Sequence, residues 1–260
     1  MSLRHVPLSA LTIRGERSYR AVGHYPALKR MLLADGFRFR VPDAGSAHAH
    51  HDRVLFLNLT WWNAGDPSDV LVDDTIDADV VAHAAWHHAA RKALATAGAP
   101  TAIALLLGES IASAFDLYAA GRLLRAAKRT DYLDAQVTAL SAAALDAGLD
   151  ADALGTLLAD VASDPERAFV DLQGLLFDVS LALYACPIVD AATTALDAFA
   201  GHRFACFLHH FELATWVLFA RAYAGPAVAE DPALAVDRAL RTEPDGLEWL
   251  AARWLGPAEA

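Results

Sequence analysis

The stretch from Thr75 to Tyr118, TIDADVVAHAAWHHAARKALATAGAPTAIALLLGESIASAFDLY, sets the terms for the rest of the chain. It reads as two helical segments joined by a turn at Ala97-Gly98-Ala99-Pro100, which lets the second pack back antiparallel on the first. The first segment carries His83 and His87, four residues apart and so on one helix face. Val80, Ala84, Ala90 and Leu94 belong to the same stripe, which places both imidazoles among apolar side chains where their nitrogens need partners. The second segment carries Glu109 and, two turns on, Asp116, with the small residues Ala112 and Ser113 between them. Ala112 and Ser113 are expected to face the histidine helix, because small side chains permit close approach. Two imidazoles and a carboxylate converging in a helical hairpin suit a divalent metal, most simply zinc with an open fourth position.

Around this hairpin the pattern is helical and apolar. Segments are expected at about 101–128, 131–147, 151–162, 166–185, 188–200, 203–224, 232–241 and 244–255, following one at 75–97 capped by Asp74 or Thr75. Asp77 and Asp79 in the first turn favour the positive end of that helix dipole. Breaks fall at Gly148, Asp164-Pro165, Pro187, Gly201, Gly225-Pro226, Asp231-Pro232 and Glu243-Pro244, and no strand is expected beyond residue 74. Ahead of the hairpin lies an irregular or partly strand-like arm over 1–24. A short helix follows, opened by Pro26 and closed by Gly36. Phe37 to Val41 alternates apolar and basic residues as a half-buried strand does, and Val54 to Trp62, VLFLNLTWW, reads as its antiparallel partner. The whole is a mainly α-helical single domain over 1–260 with a small antiparallel β element near the N-terminus. Its parts are 1–74 (arm and β element), 75–128 (the hairpin) and 129–260 (the helical remainder).

With 260 residues, 55% of them apolar and 20% charged, the chain can bury a sizeable core. A net charge of −11 without a basic stripe argues against nucleic acid as a partner. A peptide, protein or small molecule remains. The two cysteines, Cys186 and Cys206, form no CxxC pair and no disulfide framework, which suits a reducing, cytoplasmic setting. The first twenty residues lack the apolar run of a signal peptide. The apolar stretch Phe204 to Tyr223 contains His209, His210, Glu212 and Arg221 and reads as a buried core helix rather than a membrane span.

Other polar clusters carry weaker chemistry. His48, His50 and His51 lie in a loop of the type that is more often solvated than metal-binding. Trp61 and Trp62, with Asn63, fit either core packing or the mouth of a pocket. Cys206 and His209, three apart, share a face if 203–224 is one helix; with His210 they either line the hairpin's cavity or are core polar groups satisfied locally. No ExxH, GxGxxG, GxxxxGK[ST] or GxSxG occurs, which disfavours di-iron bundles and the common nucleotide-binding and serine-hydrolase classes.

The order strand, loop, helix with His83-Ala84-Ala85-Trp86-His87, then helix with Gly108-Glu109-Ser110 resembles the core of gluzincin-type zinc metallopeptidases. In that family a helix carries HExxH and a later helix supplies a glutamate as third ligand; here Glu109 follows His87 by 22 positions. The resemblance covers residues 54–118 and implies zinc held by His83, His87 and Glu109, with Asp116 orienting a ligand histidine. It also implies that the residue after the first histidine faces the cleft and takes a proton from the metal-bound water. That residue is Ala84, which cannot accept one. Three explanations fit: a degenerate peptidase that keeps the scaffold for binding, a metal-dependent hydrolase whose base comes from elsewhere (His209 or His210), or a substitution introduced at this position. Beside them stands a metal-free helical scaffold or interaction protein whose histidines are structural.

Overall fold

The computed structural model describes residues 3–43, 70–94 and 99–256. Among them the chain begins with strand β1 (Leu3–Pro7), a short 3-10 turn, strand β2 (Thr12–Arg14), and helices α1 (Glu16–Tyr19) and α2 (Tyr25–Ala34). Pro26 stands in the first turn of α2, where its missing N–H costs nothing. Gly36 ends the helix at φ +62°, and its N–H and that of Phe37 reach back to the carbonyls of Leu33 and Leu32. Strand β3 (Arg38–Pro42) then pairs antiparallel with β1, from Leu3↔Pro42 to Pro7↔Arg38.

Two expectations change here. The partner of β3 among the described residues is β1, and the strand expected at 54–62 lies outside them, as do His48, His50, His51, Trp61, Trp62 and Asn63. Residues 75–77, expected as the first turn of the histidine helix, instead form strand β4 (Thr75–Asp77), parallel to β2. Pairing wins over helix propensity because Arg14 grips Asp77 through two hydrogen bonds of 2.8 Å and Thr12 donates its N–H to the Asp74 carbonyl.

Helix α3 (Ala78–Leu94) follows, then α4 (Ala102–Arg125), α5 (Asp131–Asp146), α6 (Ala151–Ser163), α7 (Pro165–Ala185), α8 (Val189–Asp197), α9 (His210–Tyr223), α10 (Pro232–Thr242) and α11 (Gly246–Trp254). The starts of α4 to α7, α10 and α11 are written in the sequence as side-chain caps at Thr101, Thr130, Asp150, Asp164, Asp231 and Asp245. Helix α4 is buried on nearly every side, as its almost unbroken apolar run requires. Against it pack α3 on one flank and α7 on another, with α5, α6, α9 and α10 completing the surround. A single hydrophobic cluster runs from Val6 in β1 to Ala251 in α11. By length and composition α4 and α7 could each cross a membrane, but 67% and 61% of their most apolar windows are buried within the protein.

Two helix starts are tied together. Thr101 Oγ1 accepts the Ala104 N–H to cap α4 and donates to Asp231 Oδ2, while Asp231 Oδ1 accepts the Ala233 N–H to cap α10. Both side chains are buried, so neither group has water to fall back on. The helix expected at 203–224 is not continuous. Ala205–Phe207 form a 3-10 turn, Leu208 and His209 are extended, and α9 starts only at His210. The break follows from packing: Phe204 and Phe207 stack against each other in the core, and His202 Nδ1 accepts the Phe204 N–H in place of a helical carbonyl.

Candidate metal centre

Helices α3 and α4 run against each other because their contact is lined with small residues. A Cβ built on Gly108 would sit 3.4 Å from the Ala90 Cβ and 3.9 Å from His87 Nδ1, so the absence of a side chain lets α4 come close to the histidine row. Ala112, one turn on, is fully buried and Ser113 half-buried. This spacing presents Glu109 and Asp116 to α3.

The structure brings together all four residues of the expected centre. Ligand atoms of His83, His87 and Glu109 lie within 4.8 Å of one another. His87 Nε2 is 3.1 Å from His83 Nε2 and 3.4 Å from Glu109 Oε2. A cation bonded at about 2.0–2.1 Å places tetrahedral neighbours roughly 3.3–3.4 Å apart, so the two measured edges bracket what a small divalent ion needs. The donor chemistry fits as well: two imidazoles and a carboxylate suit zinc and its first-row neighbours.

Behind His83, Asp116 Oδ2 lies 3.2 Å from Nδ1. A carboxylate there takes the Nδ1 proton as a hydrogen bond, which fixes the tautomer that leaves Nε2 free to bind a metal. Asp116 is held from the other side by Tyr132, whose hydroxyl donates to the Asp116 backbone carbonyl at 2.9 Å. The carboxyl of Glu109 is pushed up by burial, but the charges of His87 and His83 and a hydrogen bond from His87 outweigh this and hold it below the usual range. It is therefore ionised and available as a ligand at neutral pH.

Exposure departs from the expectation of buried imidazoles. The side chains of His83 and His87 are 33% and 35% exposed and that of Glu109 16%. The cluster is a half-open strip on the flank of the hairpin rather than a closed core site. Ala84 departs in the opposite sense. At 2% exposure it belongs to the hydrophobic core, so its side chain turns into the protein and not onto the accessible side of the cluster. His88 points away, as its angular offset from His87 requires. It pairs with Asp35, just past the end of α2, at 2.7 Å and packs edge-on against Phe37.

His209 and His210 are exposed at the start of α9, and Glu212 is exposed one residue beyond Phe211. The hydrogen bonds and ion pairs described for the cluster run among His83, His87, Glu109 and Asp116, and none reaches these residues. Cys206 is half-buried in the 3-10 turn, where burial raises its thiol pKa, and it does not share a helix face with His209. One residue beside the cluster does more than charge a helix start. Asp79 lies one turn before His83, so Asp79, His83 and His87 form a single row along α3. Extending the four-residue spacing one turn backward is the signal that finds it.

No family model, curated protein or solved structure matches the chain.

Proposed function

We propose that this protein binds a divalent metal, zinc first among them, through His83, His87 and Glu109, in a metallopeptidase-like helical hairpin that lacks the general base of a peptidase. The observation that supports this is the convergence of three donor atoms from two helices within 4.8 Å, with Asp116 against the far nitrogen of His83. A metal here would supply a polarised open position on the accessible side of the strip. The chain's own residues keep the Glu109 carboxylate ionised, offer Asp116 to the Nδ1 proton of His83 and leave no carboxylate at position 84. Metal binding without appreciable peptide hydrolysis is the consequence.

The rival reading, a metal-free helical scaffold, draws on one observation. The His83–His87 separation of 3.1 Å is also a hydrogen-bond distance, so the row can be satisfied by protons alone. Metal content of protein purified without a polyhistidine tag separates the two. One divalent ion per chain in the wild type, lost in both His83→Ala and Glu109→Ala, supports the metal reading. Equal metal content and equal melting temperature in all three proteins refutes it.

A further inference from the structure

Asp79 lies one turn before His83 on α3, and Asp116 holds the Nδ1 side of His83, away from the donor cluster. The titratable groups that interact electrostatically with Asp79 are Asp116 from α4, Asp77 from β4, Tyr19 from α1, Tyr25 from α2, Tyr132 from α5 and Arg14 from β2. Asp116 is the nearest in effect among the charged ones. Arg14 is the single cation of the six, and its guanidinium is already engaged by Asp77. Asp116 Oδ1 is buried without a hydrogen-bond partner. Tyr19 and Tyr132 pack edge to face with centroids 5.1 Å apart, and the Tyr132 hydroxyl donates to the Asp116 carbonyl. The charge of Asp116 thus bears on Asp79, and His83 links Asp116 to the donor cluster. Such a pair raises the free energy of the metal-free protein, and a cation on the other nitrogen of His83 relieves it.

Resting on the metal reading above, we propose that Asp79 is a further positioning residue of the centre: through Asp116 and His83 its negative charge strengthens cation binding, and its protonation weakens it. Burial, then the charge of Asp116, push the Asp79 carboxyl up to about 6. It is therefore neutral in mild acid and charged above neutrality. Metal affinity should rise more steeply across that range in the wild type than in Asp79→Asn.

The test is zinc titration of the full chain by calorimetry between pH 5 and pH 8, in two buffers of different ionisation enthalpy, for wild type, Asp79→Asn and Asp79→Glu. Asn is accepted in the first turn of a helix, and Glu keeps the charge. Removing a unit charge one helical turn behind a ligand is expected to weaken zinc binding roughly ten-fold above pH 7. The loss should vanish near pH 5, where Asp79 is already neutral. Fewer protons should be released by Asp79→Asn than by wild type near pH 6, and Asp79→Glu should stay close to wild type. Equal affinity of wild type and Asp79→Asn at every pH overturns the proposal and leaves the metal reading intact. So does a loss of the same size at every pH, which is a structural effect. A second ion per chain, lost in Asp79→Asn, would make Asp79 a ligand and also overturn it. Absence of zinc binding by the wild type removes both readings together.

Discussion

Placing a glutamate at position 84 tests whether the hairpin has the geometry of a peptidase. In the resemblance to gluzincins, Ala84→Glu restores the proton acceptor. In the structure, it drives a carboxylic acid into the core, because Ala84 is 2% exposed and its neighbours Ala85 and Trp86 are fully buried. Overpacking accounts for about 1–3 kcal/mol. A carboxyl in such surroundings ionises roughly 3–4 pH units above its ordinary value, which sets about 4–5 kcal/mol against the charged form. The sum approaches the whole stability of an ordinary domain, about 5–15 kcal/mol. The sign in pH follows from the raised folded pKa. Between the unfolded and the folded pKa the native state binds more protons, so the variant loses stability relative to wild type as pH rises from about 4 to about 8. Near pH 4 only the overpacking remains. Urea unfolding of both proteins at pH 4.5 and pH 8 reads this directly, and a peptidase assay with and without chelator accompanies it. A variant as stable as wild type at both pH values, with new chelator-sensitive hydrolysis, would refute the placement of Ala84 in the core.

Other predictions follow from neighbouring features. Asp79→Asn should stabilise the metal-free protein by about 1–2 kcal/mol at pH 8 and by nothing at pH 4. A carboxyl whose folded pKa lies above its unfolded value costs stability once both states ionise, and about 1 kcal/mol of favourable helix-dipole interaction is given up in return; thermal melts at the two pH values decide it. Thr101→Val removes the cap of α4 and leaves Asp231 with an unpaired buried oxygen, which should cost about 2–3 kcal/mol in chemical denaturation. Gly108→Ala should be tolerated, since its Cβ finds contacts of 3.4 and 3.9 Å, whereas Gly108→Leu should overpack the α3–α4 contact by about 1–3 kcal/mol and weaken zinc binding. Zinc at a hundredfold excess over its dissociation constant should raise wild-type stability by about 2.7 kcal/mol, and Glu109→Ala should abolish the increment.

The helices were legible because their limits are local chemistry. Thr101, Thr130, Asp150, Asp164, Asp231 and Asp245 cap within a residue or two of the expected helix starts, and Gly36 and Gly148 adopt the positive φ that ends a helix. What the pattern missed depends on distant partners. Residues 75–77 become a strand only because β2, some sixty residues earlier, supplies hydrogen bonds and Arg14. The 203–224 run breaks because Phe204 and Phe207 are drawn into the core together, a preference that apolar periodicity cannot distinguish from a continuous buried helix.

The site shows the same division from another side. The spacing of His83 and His87 and the antiparallel return of α4 were enough to bring Glu109 and Asp116 to the row, because the hairpin leaves little choice of partner once the small residues face inward. Ala84 keeps the buried place that the apolar stripe gives it and not the cleft-facing one that the resemblance implies, while the histidines leave the stripe; both have one cause. An Ala-rich helix gives a weak apolar stripe, so its phase is set by the large residues: Trp86 packs on Phe115 and Trp254 and turns that side of α3 inward. Ala84 and Ala85 then follow Trp86 into the core, and His83 and His87 rotate to the half-open flank. The rotation matters for function. It exposes the donor nitrogens to an incoming ion while withdrawing the one backbone position from which a peptidase would act on bound water. On the metal reading proposed above, a helix phased by Trp86 suits holding an ion rather than using it for hydrolysis. The proton-accepting carboxylates that remain near the row, Asp79 and Asp116, stand behind His83, where they can set the strength of binding.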